Sequence, residues 1–270
     1  MFRPGPNNLA EWDSKWQPEM RLSLRGARAS VRTAHRHLVF GRALSHFARA
    51  PAAAIGGSQS VLTDLIYGWN NEGWSGGSEF LVACVEGALS TQGAILECGS
   101  GLTTLLIGIV AQQRGLSVWS LEHLPSWGER VQACLAHNRI ESVRLHVAPL
   151  RPYGDYDWYA PPLEAMPRQF ALVVCDGPPG ATKGGRHGLL PVMRERLSKG
   201  CVLLVDDAAR DAEQAMVNHW AEGVSCQVSL HGEAKPYFKV LLNDPSLVED
   251  LAQGSAPERR LFGESDRSRV

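Results

Sequence analysis

Apolar and polar residues alternate along residues 93–243 in an order that predicts strands and helices in turn. Apolar runs of strand length lie at 93–98, 117–122, 143–147, 170–176 and 200–206. Stretches with helical spacing separate most of them, at 102–114, 126–138, 187–198 and 209–221. Strands that alternate with helices indicate a parallel sheet covered on both faces. Two further apolar runs, at 224–230 and 236–242, predict a closing hairpin.

The predicted fold class is therefore α/β: a Rossmann-like, doubly wound, mostly parallel seven-stranded sheet with a C-terminal antiparallel hairpin and an N-terminal helical extension. Residues 1–60 are predicted to form an N-terminal arm and a basic helix, with a small-residue linker or loop near their end. Residues 61–243 are predicted to form the α/β domain. The polar, aperiodic tail at 244–270 is predicted to be loosely ordered.

A basic amphipathic helix is predicted within residues 21–49. Arginines recur there at helical spacing, and no acidic residue occurs between Glu19 and Asp64. Such a helix can meet an anionic partner: a membrane surface, a nucleic acid or an acidic protein. The alternative, which we favour, is a solvated helix that packs its thin apolar stripe on the catalytic domain. That stripe consists of Leu24, Ala27, Val31, Ala34 and Leu38.

Composition narrows the class of protein further. The chain has 270 residues, a net charge of −1 and 44% hydrophobic residues, which is ordinary for a globular protein without general affinity for nucleic acid. Its six cysteines are scattered singly through apolar runs, so we expect buried thiols rather than a zinc site. No secretory start or transmembrane run is recognisable, and we expect a cytoplasmic protein.

A glycine-rich turn follows the strand GAILEC and precedes the helix LTTLLIGIVAQQ. Gly99, Ser100 and Gly101 form this turn, and glycines there let a ligand approach the backbone. Thr104 stands where a dinucleotide-binding motif has its third glycine. This difference favours S-adenosylmethionine (SAM) over NAD. The alternative is an ordinary tight turn.

Two acidic residues support the same cofactor. Glu97 lies two positions before the first glycine, where it can reach the methionine end of SAM directly or through water. Glu122 ends the next strand, where its carboxylate can accept both ribose hydroxyls. Taken alone, Glu122 could be a solvated strand end. The complete predicted cofactor site is Glu97, Gly99, Ser100, Gly101, Glu122, His123, Ala148 and Asp176.

A second group of acids follows two later strands. Asp176 ends FALVVCD, and Asp206 with Asp207 ends GCVLLVDD. These strands are neighbours in the predicted sheet, so the carboxylates should meet at its carboxyl edge. Three oxygen ligands suit Mg²⁺ or a similar hard cation, which can align an acceptor and lower the pKa of its hydroxyl. Alternatively, Asp206 or Asp207 caps the helix that follows.

The segments LECGSG, LEH, DGPPG and LLVDDA resemble, in order and spacing, the class I SAM-dependent methyltransferases. The chain looks most like a bacterial subfamily that shares the DGPPG strand end. It is also similar to metal-dependent O-methyltransferases that act on catechols, macrolides or aminocoumarin sugars. The resemblance covers residues 68–243 and implies metal ligands at Asp176, Asp206 and Asp207.

The chain departs from these enzymes at the general base. Catechol enzymes place a lysine three residues after the first metal aspartate, and sugar enzymes place an acid two residues after it. Here those positions are Pro179 and Pro178. Lys183 and His187 are the nearest substitutes, so the predicted catalytic residues are Asp176, Lys183 and His187. Each of the two substitutes could instead be an ordinary loop residue.

The predicted activity is methyl transfer from SAM, assisted by Mg²⁺, to a small hydroxylated acceptor such as a sugar, a glycoside or a catechol-like metabolite. Tyr and Trp residues in the long segment 148–169 are candidates for stacking on that acceptor, and residues 69–78 for a lid. The alternatives are a metal-free methyltransferase for nitrogen or protein, a non-catalytic SAM-binding domain, and an NAD-dependent oxidoreductase. A homodimer is compatible with the sequence.

Overall fold

The computed structural model describes residues 24–57, 60–71 and 77–248. Its strands are β1 (Ala94–Cys98), β2 (Val118–Glu122), β3 (Val143–Val147), β4 (Leu150–Pro152), β5 (Asp157–Tyr159), β6 (Phe170–Cys175), β7 (Leu197–Val205), β8 (Val224–His231) and β9 (Tyr237–Val248). Its α-helices are α1 (Leu24–Arg49), α2 (Pro51–Gly56), α3 (Ser60–Trp69), α4 (Ser78–Ser90), α5 (Leu102–Arg114), α6 (Pro125–His137), α7 (Leu189–Met193) and α8 (Asp211–Gly223).

Seven strands form one sheet in the order β3-β2-β1-β6-β7-β9-β8. The first five are parallel, β9 pairs antiparallel with β7, and β8 pairs antiparallel with β9. The predicted fold class is confirmed, including the closing hairpin. Strand order reverses between β1 and β6, so the loops that leave these two strands diverge and open a crevice at their carboxyl ends.

Apolar side chains cover both faces of the sheet. Successive residues of a strand point to opposite faces, and in β1 Ile95 and Leu96 belong to two different buried clusters. The first cluster joins the sheet to α4, α5 and α6, and the second joins it to α7 and α8. Strands β1, β2 and β6 are therefore buried on both faces, as expected of a parallel sheet, whereas the edge strands β3 and β8 are more exposed.

The N-terminal helices share the first of these clusters. Helix α1 packs on α3, and Gly68 of α3 allows the approach, because a Cβ atom there would lie 2.6 Å from Cβ of Phe40. Of the predicted apolar stripe, Val31 is 71% exposed and Leu38 is 44% exposed, so this part of it does not face the core. The side chains of Leu24 and Ala27 lie outside the described residues. The packed residues lie in the second half of the helix: Ala43, Leu44, Phe47 and Ala48. Arg21 lies outside the described residues.

Three boundaries differ from the sequence prediction. The predicted helix 187–198 is only the five-residue α7 and a 3₁₀ turn, because Leu197 already pairs with Phe170 as the start of β7. Pro51–Gly56 is a short helix rather than a loop. Strand β9 continues to Val248, beyond the predicted start of the tail, and residues 249–270 lie outside the described residues.

The long segment between β3 and β6 is partly ordered by a small sheet. Strands β4 and β5 pair antiparallel within it, and Trp158 and Tyr159 are buried there in the second cluster. In the described ranges, no helix is both long and apolar enough to cross a membrane.

Candidate cofactor and acceptor site

A cavity of about 300 Å³ opens at the crevice where strand order reverses. It is lined by the glycine turn and by the ends of β2 and β6. Of the predicted cofactor residues, these line it: Gly99, Ser100, Gly101, Glu122, His123 and Asp176. Aromatic side chains of Trp69, Trp127 and Tyr159 form other parts of the wall. The cavity is therefore mostly apolar with a few polar groups, as small-molecule sites usually are.

The glycine turn brings two strand ends into contact. Gly99 has a φ of +88°, which favours glycine, and its N–H donates to the carbonyl of Leu121 at 2.9 Å. A Cβ atom on Gly99 would lie 2.8 Å from the backbone nitrogen of Gly177. A Cβ on Gly101, in contrast, would meet no atom within 4 Å. Space is thus left above Gly101, where a ligand can approach the backbone.

The carboxylate of Glu122 joins the glycine turn to the end of β2. Its Oε2 accepts hydrogen bonds from the Ser100 backbone N–H at 3.1 Å and from the Ser100 hydroxyl at 2.8 Å. Its Oε1 accepts the Leu124 N–H at 2.8 Å and lies 3.1 Å from Nδ1 of His123. The carboxylate is held at the cavity wall by these groups, which occupy most of its acceptor positions.

Glu97 lies behind the cavity rather than in its wall. It is fully buried, and its oxygens accept hydroxyl groups of Thr103 at 2.6 Å, Thr104 at 2.6 Å and Ser120 at 2.5 Å. Burial raises its pKa to about 7, against the effect of these three donors. Glu97 thus fastens the first turn of α5, and it acts on the cavity through Thr103, which does line it.

Ala148, a predicted cofactor residue, and Trp127 both contact elements that form the cavity. Ala148 is buried and donates its N–H to the Glu122 carbonyl at 2.7 Å, but it is not among the lining residues. Trp127 lines the cavity, and its Nε1–H donates to the Ser100 carbonyl at 2.8 Å. Its ring is therefore fixed in orientation beside the glycine turn.

The second predicted group of acids meets as expected. Asp176, Asp206 and Asp207, here called the acidic cluster, each offer a carboxylate oxygen within 4.8 Å of the others. Asp176 alone of the three lines the cavity. Burial, followed by the charge of Asp206, raises its pKa well above that of an ordinary aspartate. The acidic cluster is therefore adjacent to the cofactor cavity and open to it at Asp176.

Three cations face the acidic cluster. Arg186 Nη2 lies 2.6 Å from Asp207 Oδ2 and 3.4 Å from Asp176 Oδ1. Arg210 Nη1 also contacts Asp207 Oδ2, at 2.9 Å, and Lys235 Nζ lies 2.9 Å from Asp206 Oδ2. We call Arg186, Arg210 and Lys235 the cation set. Although burial of Asp207 alone would raise its pKa, the charge of Arg186 lowers it overall.

The predicted substitutes for the general base lie elsewhere. The Lys183 ammonium donates to the carbonyl of Gly154 at 2.7 Å. The His187 ring contacts the rings of Tyr156 and His219, and burial and His219 lower its pKa. Neither Lys183 nor His187 lines the cavity. Among the predicted catalytic residues, the structure brings only Asp176 to the cofactor cavity.

One residue of this region escaped sequence analysis. Lys235 reaches the acidic cluster from the turn between β8 and β9, far along the chain, and no periodicity or motif marks it. Tyr159 was a candidate for stacking on an acceptor, because it lies in the aromatic segment 148–169. The structure buries its hydroxyl at the cavity wall without a hydrogen-bond partner among the described residues.

Comparison with solved structures identifies the fold as that of methyltransferases. The methyltransferase PaMTH1 of Podospora anserina, solved with bound S-adenosylhomocysteine (SAH), matches with a TM-score of 0.50 and 13% identity. The match covers 84% of this chain and 100% of that one. A methyltransferase of Pyrococcus furiosus has a TM-score of 0.45 and 14% identity over 63% and 86% of the two chains. A methyltransferase of Geobacter sulfurreducens matches with a TM-score of 0.43 and 16% identity, covering 89% of this chain and 98% of that one.

No protein-family model and no curated protein matches this chain. At these identities the structural likeness establishes the shared Rossmann-like fold and nothing about the substrate. The relationship to the DGPPG subfamily and to metal-dependent O-methyltransferases stays a prediction.

Proposed function

We propose that this protein is a SAM-dependent methyltransferase that methylates an oxygen of a small hydroxylated acceptor, such as a sugar, a glycoside or a catechol-like metabolite. One observation carries the proposal: the Asp176 carboxyl, with its raised pKa, lines the same cavity as the glycine turn and Glu122. A candidate base and a candidate cofactor cradle thus share one cavity.

The cofactor part rests on the glycine turn and Glu122. The open space above Gly101 admits a ligand, and the Glu122 carboxylate at the cavity wall can accept ribose hydroxyls in place of the Ser100 hydroxyl and the His123 ring. Trp127 and His123 offer flat faces beside it for an adenine. Thr104 stands at the position of the third glycine of a dinucleotide motif, and its hydroxyl donates to the Glu97 carboxylate.

The acceptor part rests on Asp176. When bound, SAM supplies a methyl group on a positively charged sulfur and is already an activated donor. Asp176 accepts the proton of the acceptor hydroxyl, whose oxygen bonds to the methyl carbon while the sulfur–methyl bond breaks. A raised pKa makes this carboxylate a stronger base than an ordinary aspartate.

Magnesium assistance, which the sequence predicts, has weaker support. The acidic cluster is compact enough for a hard cation, but each of its three carboxylates is already paired with a member of the cation set through at least one oxygen. Mg²⁺ requires near-octahedral oxygen ligands at short range and keeps several waters. The side chains as arranged fit such an ion poorly, and we derive no step through a metal. These ion pairs favour the metal-free alternative as the second candidate.

The test is calorimetric titration of SAM, SAH and NAD into the full chain, followed by transfer assays with labelled SAM. We expect SAM and SAH to bind and NAD not to bind. A panel of sugars, glycosides and catechols, each with and without EDTA, then screens for the acceptor. Binding of NAD without SAH would contradict the proposal. SAH binding without transfer to any acceptor class would favour the non-catalytic alternative.

A further inference from the structure

An ammonium group pairs with two of the three carboxylates of the acidic cluster. Lys235 Nζ is 2.9 Å from Asp206 Oδ2 and 3.6 Å from Asp207 Oδ1. Asp206 is fully buried, and its other oxygen, Oδ1, has no hydrogen-bond partner among the described residues. A buried carboxylate needs a nearby positive charge, and here the chain itself supplies it.

The turn between β8 and β9 holds Lys235 in this position from two sides. On one side, the Glu233 N–H donates to Oε2 of Glu79 in α4 at 3.1 Å. On the other, the carbonyl of Pro236 accepts the N–H of Ala208 at 2.9 Å, next to the acidic cluster. The backbone on either side of Lys235 is therefore tied to the body of the fold, which directs the side chain to Asp206.

A glycine leaves room for the lysine side chain. Gly77 precedes α4, and a Cβ atom there would lie 3.2 Å from Cβ of Lys235 and 3.7 Å from its Cδ. A larger residue would press on the aliphatic part of Lys235. The packing around the side chain thus agrees with the two backbone ties.

The charges around the acidic cluster are nearly balanced without a metal. Its three carboxylates face the three members of the cation set, and Glu213, 3.9 Å from Arg186 and 3.6 Å from Arg210, adds a fourth carboxylate. One negative charge is left. A divalent ion would leave an excess of positive charge, whereas removal of Lys235 would leave two negative charges, which one divalent ion neutralises.

We propose that Lys235 is a tethered cation that replaces a divalent metal at the acidic cluster, so that this protein transfers methyl groups without metal assistance. The statement about methyl transfer rests on the proposed function; the statement about metal exclusion does not. Lys235 is a positioning residue, because it acts through Asp206 and Asp207 on the geometry of the neighbouring Asp176.

The test compares the full-length wild type with Lys235→Met, Lys235→Arg and the matched control Lys239→Met, which removes an exposed lysine of β9. Mn²⁺ binding is measured by calorimetry and by electron paramagnetic resonance, and SAH binding in parallel. We expect no specific Mn²⁺ site in the wild type, Lys235→Arg or Lys239→Met. Lys235→Met should bind Mn²⁺ at least ~10-fold more tightly than the wild type, because a nearby positive charge has been removed. Asp206→Asn added to Lys235→Met should abolish that gain.

Two results would overturn the inference: wild-type Mn²⁺ binding that Asp206→Asn abolishes, or a folded Lys235→Met that titrates as the wild type does. If Lys235→Met does not fold, the wild-type melting temperature decides. No change with Mn²⁺ or EDTA supports the tethered cation, and a rise with Mn²⁺ that Asp206→Asn removes contradicts it. Failure of every variant to bind SAH would defeat the proposed function and leave the Mn²⁺ comparison valid.

Discussion

Two sets of acidic residues lie at the same edge of one sheet and are stabilised by different kinds of partner. On the side of β1 and β2, Glu97 and Glu122 accept hydrogen bonds from hydroxyls and backbone N–H groups, which carry no charge. On the side of β6 and β7, the acidic cluster is bound by arginines and a lysine. Carboxylates at corresponding ends of neighbouring strands can therefore have different partners and different roles. Neutral donors hold Glu122 at the cavity wall and Glu97 behind it, whereas the fixed cations at the acidic cluster compete with a metal.

The largest effect is expected where the two sides meet, at Asp176. Asp176→Asn removes the candidate base but keeps its shape, so the transfer rate should fall by ~10²- to 10⁴-fold while SAH affinity changes little. In the wild type the rate should rise with pH through the raised pKa of Asp176, because the carboxylate form is the base. Single-turnover assays with the acceptor found by screening measure both. A rate within a factor of two or so of the wild type would remove Asp176 from the mechanism.

The charged side should also be the more costly to break. Arg186 is almost fully buried and binds two members of the acidic cluster, so Arg186→Met should lower the free energy of unfolding by about 3–5 kcal/mol. Urea denaturation at neutral pH measures the change. Arg210→Met is the control, because the Arg210 side chain is half exposed and its ion pairs should contribute no more than about 1 kcal/mol. Equal losses in the two variants would mean that burial does not distinguish them.

On the side of β1 and β2, the pH dependence of the free energy of unfolding tests the comparison at Glu97. The folded-state pKa of Glu97 is raised to about 7 from 4.5, so between these pH values the unfolded chain loses a proton that the folded chain keeps. Stability is therefore lost as pH rises from about 4.5 to about 7, by about 3 kcal/mol from this group. Glu97→Gln cannot titrate, and its stability relative to the wild type should rise by that amount across the same range. Urea unfolding at several pH values measures it, and a difference that stays constant with pH would show that Glu97 is ionised when folded.

The smallest effect is expected at Glu122, whose partners are all uncharged or weakly charged. Glu122→Gln keeps the size of the side chain but loses charge-assisted hydrogen bonds, so SAH affinity should fall by about 10-fold. Glu129→Gln, on the exposed side of α6, is the matched control and should bind SAH as the wild type does. Calorimetry gives both constants. An unchanged affinity in Glu122→Gln would exclude this carboxylate from the cofactor site.

Much of the fold and part of the candidate site could be predicted from local patterns. The strand positions were predictable because buried parallel strands are continuous apolar runs, and the glycine turn because its residues are consecutive. The prediction of a helix at 187–198 was wrong, because Leu197 pairs with Phe170, which lies on a strand that is distant in sequence. The predicted packed face of α1 was also wrong at Val31 and Leu38, which are exposed, because α1 packs on α3 through a different face.

The sequence by itself determined the alternation of strands and helices, the glycine turn and the carboxylates at four strand ends. These features depend on neighbouring residues, whose spacing the chain displays directly. Only the tertiary structure decided what each carboxylate contacts: hydroxyls for Glu97, the glycine turn for Glu122, and Lys235 for Asp206. Such pairings join residues that are remote along the chain, and their charge balance exists only once the sheet has formed and excluded water.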